Sequence, residues 1–155
     1  MKKSIASLIM ILILLLSLNI NSYAISATDS KEKVIMLENG EYIVETVTEE
    51  VASERATNTK NGQKTIKVYD SDNKLLWSTT LKGTFTYTGS RATCTASSIT
   101  YTVYNDNWKI TSATASKSGN TATGNITGKR YALGIPIKTV ERVITLTCSS
   151  SGVLS

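Results

Sequence analysis

The sequence predicts an all-β protein, an antiparallel β-sandwich of seven or eight strands with immunoglobulin-like architecture. Three observations carry that expectation. The 155 residues include 23 Thr and 19 Ser against 9 Gly and one Pro, and a β-branched side chain suits a pleated surface better than a helix. From Lys64 onward apolar residues recur at every second position, the spacing that sends alternate side chains to opposite faces. Turn-forming clusters break this pattern about every ten residues, as in sandwiches and barrels.

Residues 1–24 read as an export signal. Lys2 and Lys3 open it, an apolar run over residues 5–18 follows, and Ser22-Tyr23-Ala24 places small residues at −3 and −1. This three-part pattern predicts cleavage after Ala24. An uncleaved anchor is the competing reading, but a bilayer span needs roughly 20 apolar residues. The sequence therefore predicts a secreted, extracellular protein with no stable membrane span once the signal is removed.

Residues 25–62 carry eight acids and four bases, a net of −4, whereas residues 63–155 carry four acids and eleven bases, a net of +7. That split predicts an acidic leader joined to a basic body near Asn61-Gly62. Within the leader, residues 41–49 alternate as one strand would, residues 31–37 fit a short helical turn, and residues 51–62 read as a linker.

In the body, Ile66 and Val68 begin a first strand, Asp70-Ser71-Asp72-Asn73 turns, and Leu75, Trp77, Thr79 and Leu81 share a face of a second. Phe85 and Tyr87 mark a third, ended by Gly89-Ser90, and Ala92, Cys94 and Ala96 a fourth. Ile99, Tyr101 and Val103 follow, then a turn at Asn105-Asp106-Asn107, then Trp108, Ile110, Ser112 and Thr114 on one face. A weak strand near Ala122 precedes a break at Gly128-Lys129-Arg130, and Val140, Arg142, Ile144, Leu146 and Cys148 align on the last strand. Pro136 cannot donate to a ladder, so it belongs on an edge strand or at a bulge.

Two cysteines in an exported chain predict one disulfide, Cys94–Cys148. Its loop would be worth about 4 kcal/mol by chain entropy. Free buried thiols are the alternative. Trp108 between the two cysteines repeats the Cys…Trp…Cys order of immunoglobulin domains, which supports a sandwich without implying that ancestry.

The chemistry open to the chain is narrow. It has no His, which removes Ser-His-Asp and Cys-His nucleophiles, the H-E-x-x-H zinc site and any imidazole base. Ser71-Asp72-Asn73-Lys74 fits S-x-x-K, and Ser30-Lys31-Glu32-Lys33 fits it again, but the first reads better as a hairpin turn. Asp70-Ser71-Asp72-Asn73 opens like a calcium loop yet lacks its Gly and closing Glu. The body offers only Asp70, Asp72, Asp106 and Glu141 as carboxylates, a poor basis for a paired-carboxylate hydrolase. No catalytic residue, cofactor or metal is expected. The scattered bases suit loose attraction to an anionic wall polymer and lack the dense patch of a nucleic-acid binder. Trp77 and Trp108 are expected in the core. Tyr104, whose parity opposes Ile99, Tyr101 and Val103, is the candidate ligand contact for a glycan.

The run Leu76-Trp77, Gly83-Thr84-Phe85-Thr86-Tyr87-Thr88-Gly89, Ala92-Thr93-Cys94, Asn107-Trp108-Lys109 and Ser118-Gly119-Asn120, with the ending Leu146-Thr147-Cys148-Ser149 through Gly152-Val153-Leu154-Ser155, resembles a group of small exported proteins of Firmicutes, chiefly clostridia and relatives. The resemblance covers roughly residues 60–155 and implies a secreted all-β domain with paired cysteines and no assigned activity. The combined expectation is a non-enzymatic binding domain at or near the cell envelope. A secreted toxin or bacteriocin-like effector is the alternative.

Overall fold

The computed structural model describes residues 31–50 and 58–155; the expected export signal with Ala24, and residues 51–57 of the expected linker, lie outside them. Eight strands follow in chain order: β1 (Lys31–Met36), β2 (Tyr42–Glu50), β3 (Thr59–Tyr69), β4 (Leu75–Tyr87), β5 (Ala92–Val103), β6 (Trp108–Ser118), β7 (Thr121–Ala132) and β8 (Ile135–Thr147). They form two antiparallel sheets, β1-β2-β3-β4-β5 and β6-β7-β8, each strand beside its sequence neighbour. The all-β, two-sheet expectation holds. Its connectivity is a continuous meander, whereas immunoglobulin domains use Greek-key crossings.

The eight strands are distributed differently from the sequence expectation. The body supplies six, because two pairs of expected short strands are each one long strand. Gly83 does not break β4; it lies mid-strand beneath the Phe85 ring, where an added Cβ would sit 2.6 Å from Cε2. Gly128 likewise does not break β7, since a Cβ there would meet the Trp77 indole at 3.2 Å. Both glycines make room for an aromatic ring rather than a turn.

The other two strands come from the acidic leader. The expected boundary at Asn61-Gly62 falls inside β3, where Gly62 pairs with Glu49 on one side and Gly83 on the other. Residues 31–36 are strand β1, paired through Ile35↔Ile43, and the 3-10 turn comes later, at Glu38–Gly40. Lys60 and Glu49, both within residues 25–62, form an ion pair between β3 and β2, while the leader's Glu41 pairs with Lys138 of the basic body.

Bulges decide which side chains face inward, because one extra residue flips the parity beyond it. Thr84 pairs with Ala96 but Phe85 with Cys94, leaving Thr95 extra. Cys94 is therefore buried while Ala96 is exposed. A second irregularity between Ile110 and Ser112 turns Ala113 and Ala115 inward after Trp108 and Ile110. Pro136 sits on edge strand β8 beside the irregularity at Tyr131, as its missing N–H requires.

The core lies between the sheets. Ile43, Ile66, Val68, Trp77, Leu81 and Phe85 meet Trp108, Ala122, Ile126, Ile144 and Leu146. Trp77 and Trp108 pack with ring centroids 6.3 Å apart, so both expected core tryptophans are in place. The three-stranded sheet covers β3, β4 and β5, and β1 overhangs it, with only Ile35 half-buried. The chain end folds back: Leu154 bridges to Cys148 and is 2% exposed, packed against Gly62.

No Cys94–Cys148 disulfide is present; both residues are buried free thiols. Their backbones explain the separation. Cys94 N donates to Gly119 O and Cys148 N to Asn120 O, so both hang from the β6–β7 turn. Cys94 lies on β5 and Cys148 just after β8, and each sulfur is directed to a carbonyl of its own segment rather than to the other sulfur. Cys94 Sγ donates to Ala96 O at 3.3 Å and Cys148 Sγ to Ser149 O at 3.4 Å. Burial pushes both thiols above the ordinary value of 9.0, partly offset by Lys117 at Cys94 and Lys60 at Cys148.

Candidate functional site

The outward face of the five-stranded sheet combines hydroxyls, aromatic rings and a cation. Residues directly opposite one another in a ladder share a face. Ile43 and Val68 are opposite and buried, so the flanking pair Tyr42 and Tyr69 points outward. Their rings stack with centroids 5.0 Å apart and planes at 8°. Tyr42 Oη donates to Asn73 Oδ1 at 3.0 Å, which ties the stack to the β3–β4 turn.

Beside the stack run two polar rows. Thr46, Thr65, Thr80 and Thr100 stand opposite one another across four strands, with Thr65 and Thr80 hydroxyls 2.9 Å apart. Val44, exposed Lys67, Ser78 and Thr102 form the next row. The Thr excess in the sequence is thus concentrated in part into a ladder of outward hydroxyls.

Tyr104 joins this face. It follows β5, is 56% exposed, donates its N–H to Leu76 O, and sets its hydroxyl 3.5 Å from Ser78 Oγ. Tyr101 is also exposed, but it stands opposite buried Thr79 and so belongs to the inward side of the edge strand. The opposed parity of Tyr101 and Tyr104 expected from sequence is what the ladder shows. The Tyr42–Tyr69 stack was not anticipated. Tyr42 alternates correctly in the sequence, but its partner lies on another strand, and no local pattern encodes that pairing.

The remaining candidates have structural work. Asp70 accepts N–H bonds from Asp72 at 3.0 Å and Lys74 at 2.8 Å, closing the β3–β4 turn around the S-x-x-K residues. This is the turn reading of that tetrad. Asp106 lies exposed in the β5–β6 turn, far along the chain from Glu141 on β8. Among the described residues no three His, Cys, Asp or Glu side chains gather as a metal site would need. Ser30 lies outside them.

A second concavity opens where β1 overhangs β8. It encloses about 550 Å³ between Met36, Leu37 and Glu38 on one side and the β8 segment through Val140 and Arg142 on the other. The Lys138–Glu41 ion pair, 2.7 Å long with Glu41 largely buried, ties the two sheets together near one end. Among the described residues, Arg142 Nε is buried there without a hydrogen-bond partner.

No protein-family model and no curated protein matches this chain. Among solved structures, a crystal structure of a hypothetical protein from Listeria monocytogenes EGD-e (lmo2686) superposes with a TM-score of 0.43 at 17% identity, covering 76% of this chain and 86% of that one.

Proposed function

We propose that this is an exported, non-enzymatic binding domain that holds a glycan or an anionic wall polymer at the cell envelope through the outward face of its larger sheet. The observation that carries the reading is the Tyr42–Tyr69 stack beside Tyr104, Lys67 and the threonine ladder. Aromatic rings with an apolar body and a polar tip suit sugar rings, which present C–H faces and hydroxyl edges together. Rows of hydroxyls, each both donor and acceptor, match the exchange that a carbohydrate makes with water. Lys67 adds attraction to phosphate or carboxylate groups on such a polymer.

Two further features support a binder over a catalyst. The sequence lacks His, and Asp70 spends its carboxylate on the backbone of its own turn. Export rests on the three-part pattern of residues 1–24.

The test is retention of the purified chain on isolated cell walls, with and without their anionic polymer, alongside a glycan array. Retention that drops at least tenfold in Tyr69→Ala and Tyr104→Ala is the expected result. Retention indifferent to both substitutions would remove the face as the site. Growth inhibition of related bacteria without wall retention would replace this reading with a secreted antibacterial effector.

A further inference from the structure

The β7–β8 hairpin runs past the end of the sandwich. Its last rung shared with β6 is Trp108↔Arg130, after which Tyr131 N donates to Asn107 O. Beyond that point the hairpin pairs only with itself, up to Ala132↔Ile135. At its tip Leu133 and Gly134 both have positive φ, 50° and 80°, the combination that a two-residue hairpin turn of right-handed strands demands. Asn, Asp or Gly ordinarily fills the first position, because a larger side chain crowds the following carbonyl there.

Leu133 occupies it nonetheless, and its side chain is fully exposed at 102%. Ile135 and Ile137 behind it are 64% and 56% exposed. The hairpin tip therefore holds a fully exposed apolar side chain in a conformation that disfavours it. Neither core packing nor turn preference accounts for that choice. An observed backbone outlier of this kind points toward function.

The charges carried by β6 and by the hairpin through Lys138 are all basic. No acid occurs between Asp106 and Glu141, whereas Lys109, Lys129, Arg130 and Lys138 all fall in that interval. Lys109 pairs with Lys129 and Arg130 with Lys138 across the ladders. Lys138 is neutralised by Glu41, and Asp70 and Asp72 border the hollow beside Arg130. Lys109 lies 5.3 Å from the centre of the Tyr131 ring. Those acids belong to loops of the other sheet, while the bases ride on β6 and the hairpin itself.

We propose that this hairpin tip is a membrane wedge that docks the protein on a bilayer with anionic headgroups. Leu133 and Ile135 enter the boundary between acyl chains and headgroups, Tyr131 and Ile137 lie at the interface, and Lys129 and Arg130 meet the lipid phosphates. The lengths agree. Arg130 is three residues from Leu133, roughly 10 Å along a strand, and interfacial segments bury their apolar parts by about 5–10 Å. A convex apolar point collared by cations suits a fluid surface, which needs no preformed pocket.

The experiment is flotation of residues 25–155, which retain all eight strands, with vesicles of phosphatidylcholine alone or containing phosphatidylglycerol. Co-flotation with the anionic vesicles, weak flotation with the neutral ones, and at least tenfold loss in L133D/I135D are expected. L133W should show a blue-shifted emission on adding anionic vesicles. Unchanged melting of both variants excludes misfolding as the cause, and wall retention through the tyrosine face should persist in L133D/I135D. Absence of flotation by the unsubstituted chain, or flotation equal in L133D/I135D, would overturn the proposal. Self-association that depends on Leu133 without vesicle binding would overturn it too, assigning the tip to a second copy of the chain.

Discussion

The docking of the chain end against β3 makes a size-complementary pair that a mutant cycle can read. Leu154 is 2% exposed, and a Cβ built on Gly62 would clash with Leu154 Cδ1 at 2.0 Å. Leu154→Ala removes three buried carbons, worth about 0.8 kcal/mol each in transfer. The residual cavity brings the loss to about 3 kcal/mol. Gly62→Ala overpacks the same spot and costs about 2 kcal/mol. Independent effects would sum to about 5 kcal/mol. In the double variant, however, the new methyl occupies the space of the lost Cδ1, so the clash vanishes and about one carbon of burial returns. The double variant should lose only about 2 kcal/mol, a coupling of about 3 kcal/mol, at the upper end for residues in contact. Urea unfolding by Trp fluorescence measures it. At roughly 3–5 °C per kcal/mol for a chain of this size, Tm should fall about 10 °C in Leu154→Ala and about 7 °C in the double variant. A double variant as unstable as the sum of the singles would show that the chain end does not pack on Gly62.

Four further outcomes follow from other sites. Lys138→Met leaves the largely buried Glu41 carboxylate unpaired and should destabilise by about 2–3 kcal/mol, below the range for fully buried pairs because Lys138 is partly exposed; adding Glu41→Gln should restore most of it in urea melts. Both thiols should resist an aromatic disulfide reagent in the folded protein and react fully in urea. Because burial raises the thiols above 9.0, the folded state holds protons that the unfolded chain releases, so stability is intact below pH 9 and declines as pH rises beyond it; the urea midpoint of C94S/C148S should fall less between pH 8 and pH 10.5. Leu133→Asn should raise the urea midpoint, since Asn tolerates the positive φ that Leu133 adopts; an unchanged or lower midpoint would contradict the strain assigned to that turn.

Local alternation carried much of the fold. Val140, Ile144, Leu146 and Cys148 are buried on one face of β8 and its continuation, as their period predicts. Trp77, Thr79, Leu81 and Phe85 likewise face inward along β4. Alternation failed at residues whose role depends on another strand. Gly83 and Gly128 look like breaks until the rings of Phe85 and Trp77 are placed over them. Thr95 looks like an ordinary strand residue, yet as a bulge it reverses the face of everything beyond it. The candidate site divides in the same way. Tyr104 was readable from parity with its own strand, whereas the Tyr42–Tyr69 stack joins residues 27 positions apart across a ladder.

The chain by itself determined that it would be built of strands, which large residues would be inside, where most turns would fall, and that imidazole chemistry is closed to it. Those properties follow from residue type and from a two-residue period, both of which are local. Tertiary structure decided that the acidic leader is part of the larger sheet, that the meander divides between β5 and β6, and that the two cysteines stay apart on either side of the Gly119-Asn120 turn. Each of these depends on which strands lie side by side. Pairing is settled by the summed burial of distant side chains, and a pattern read two residues at a time contains no record of that sum.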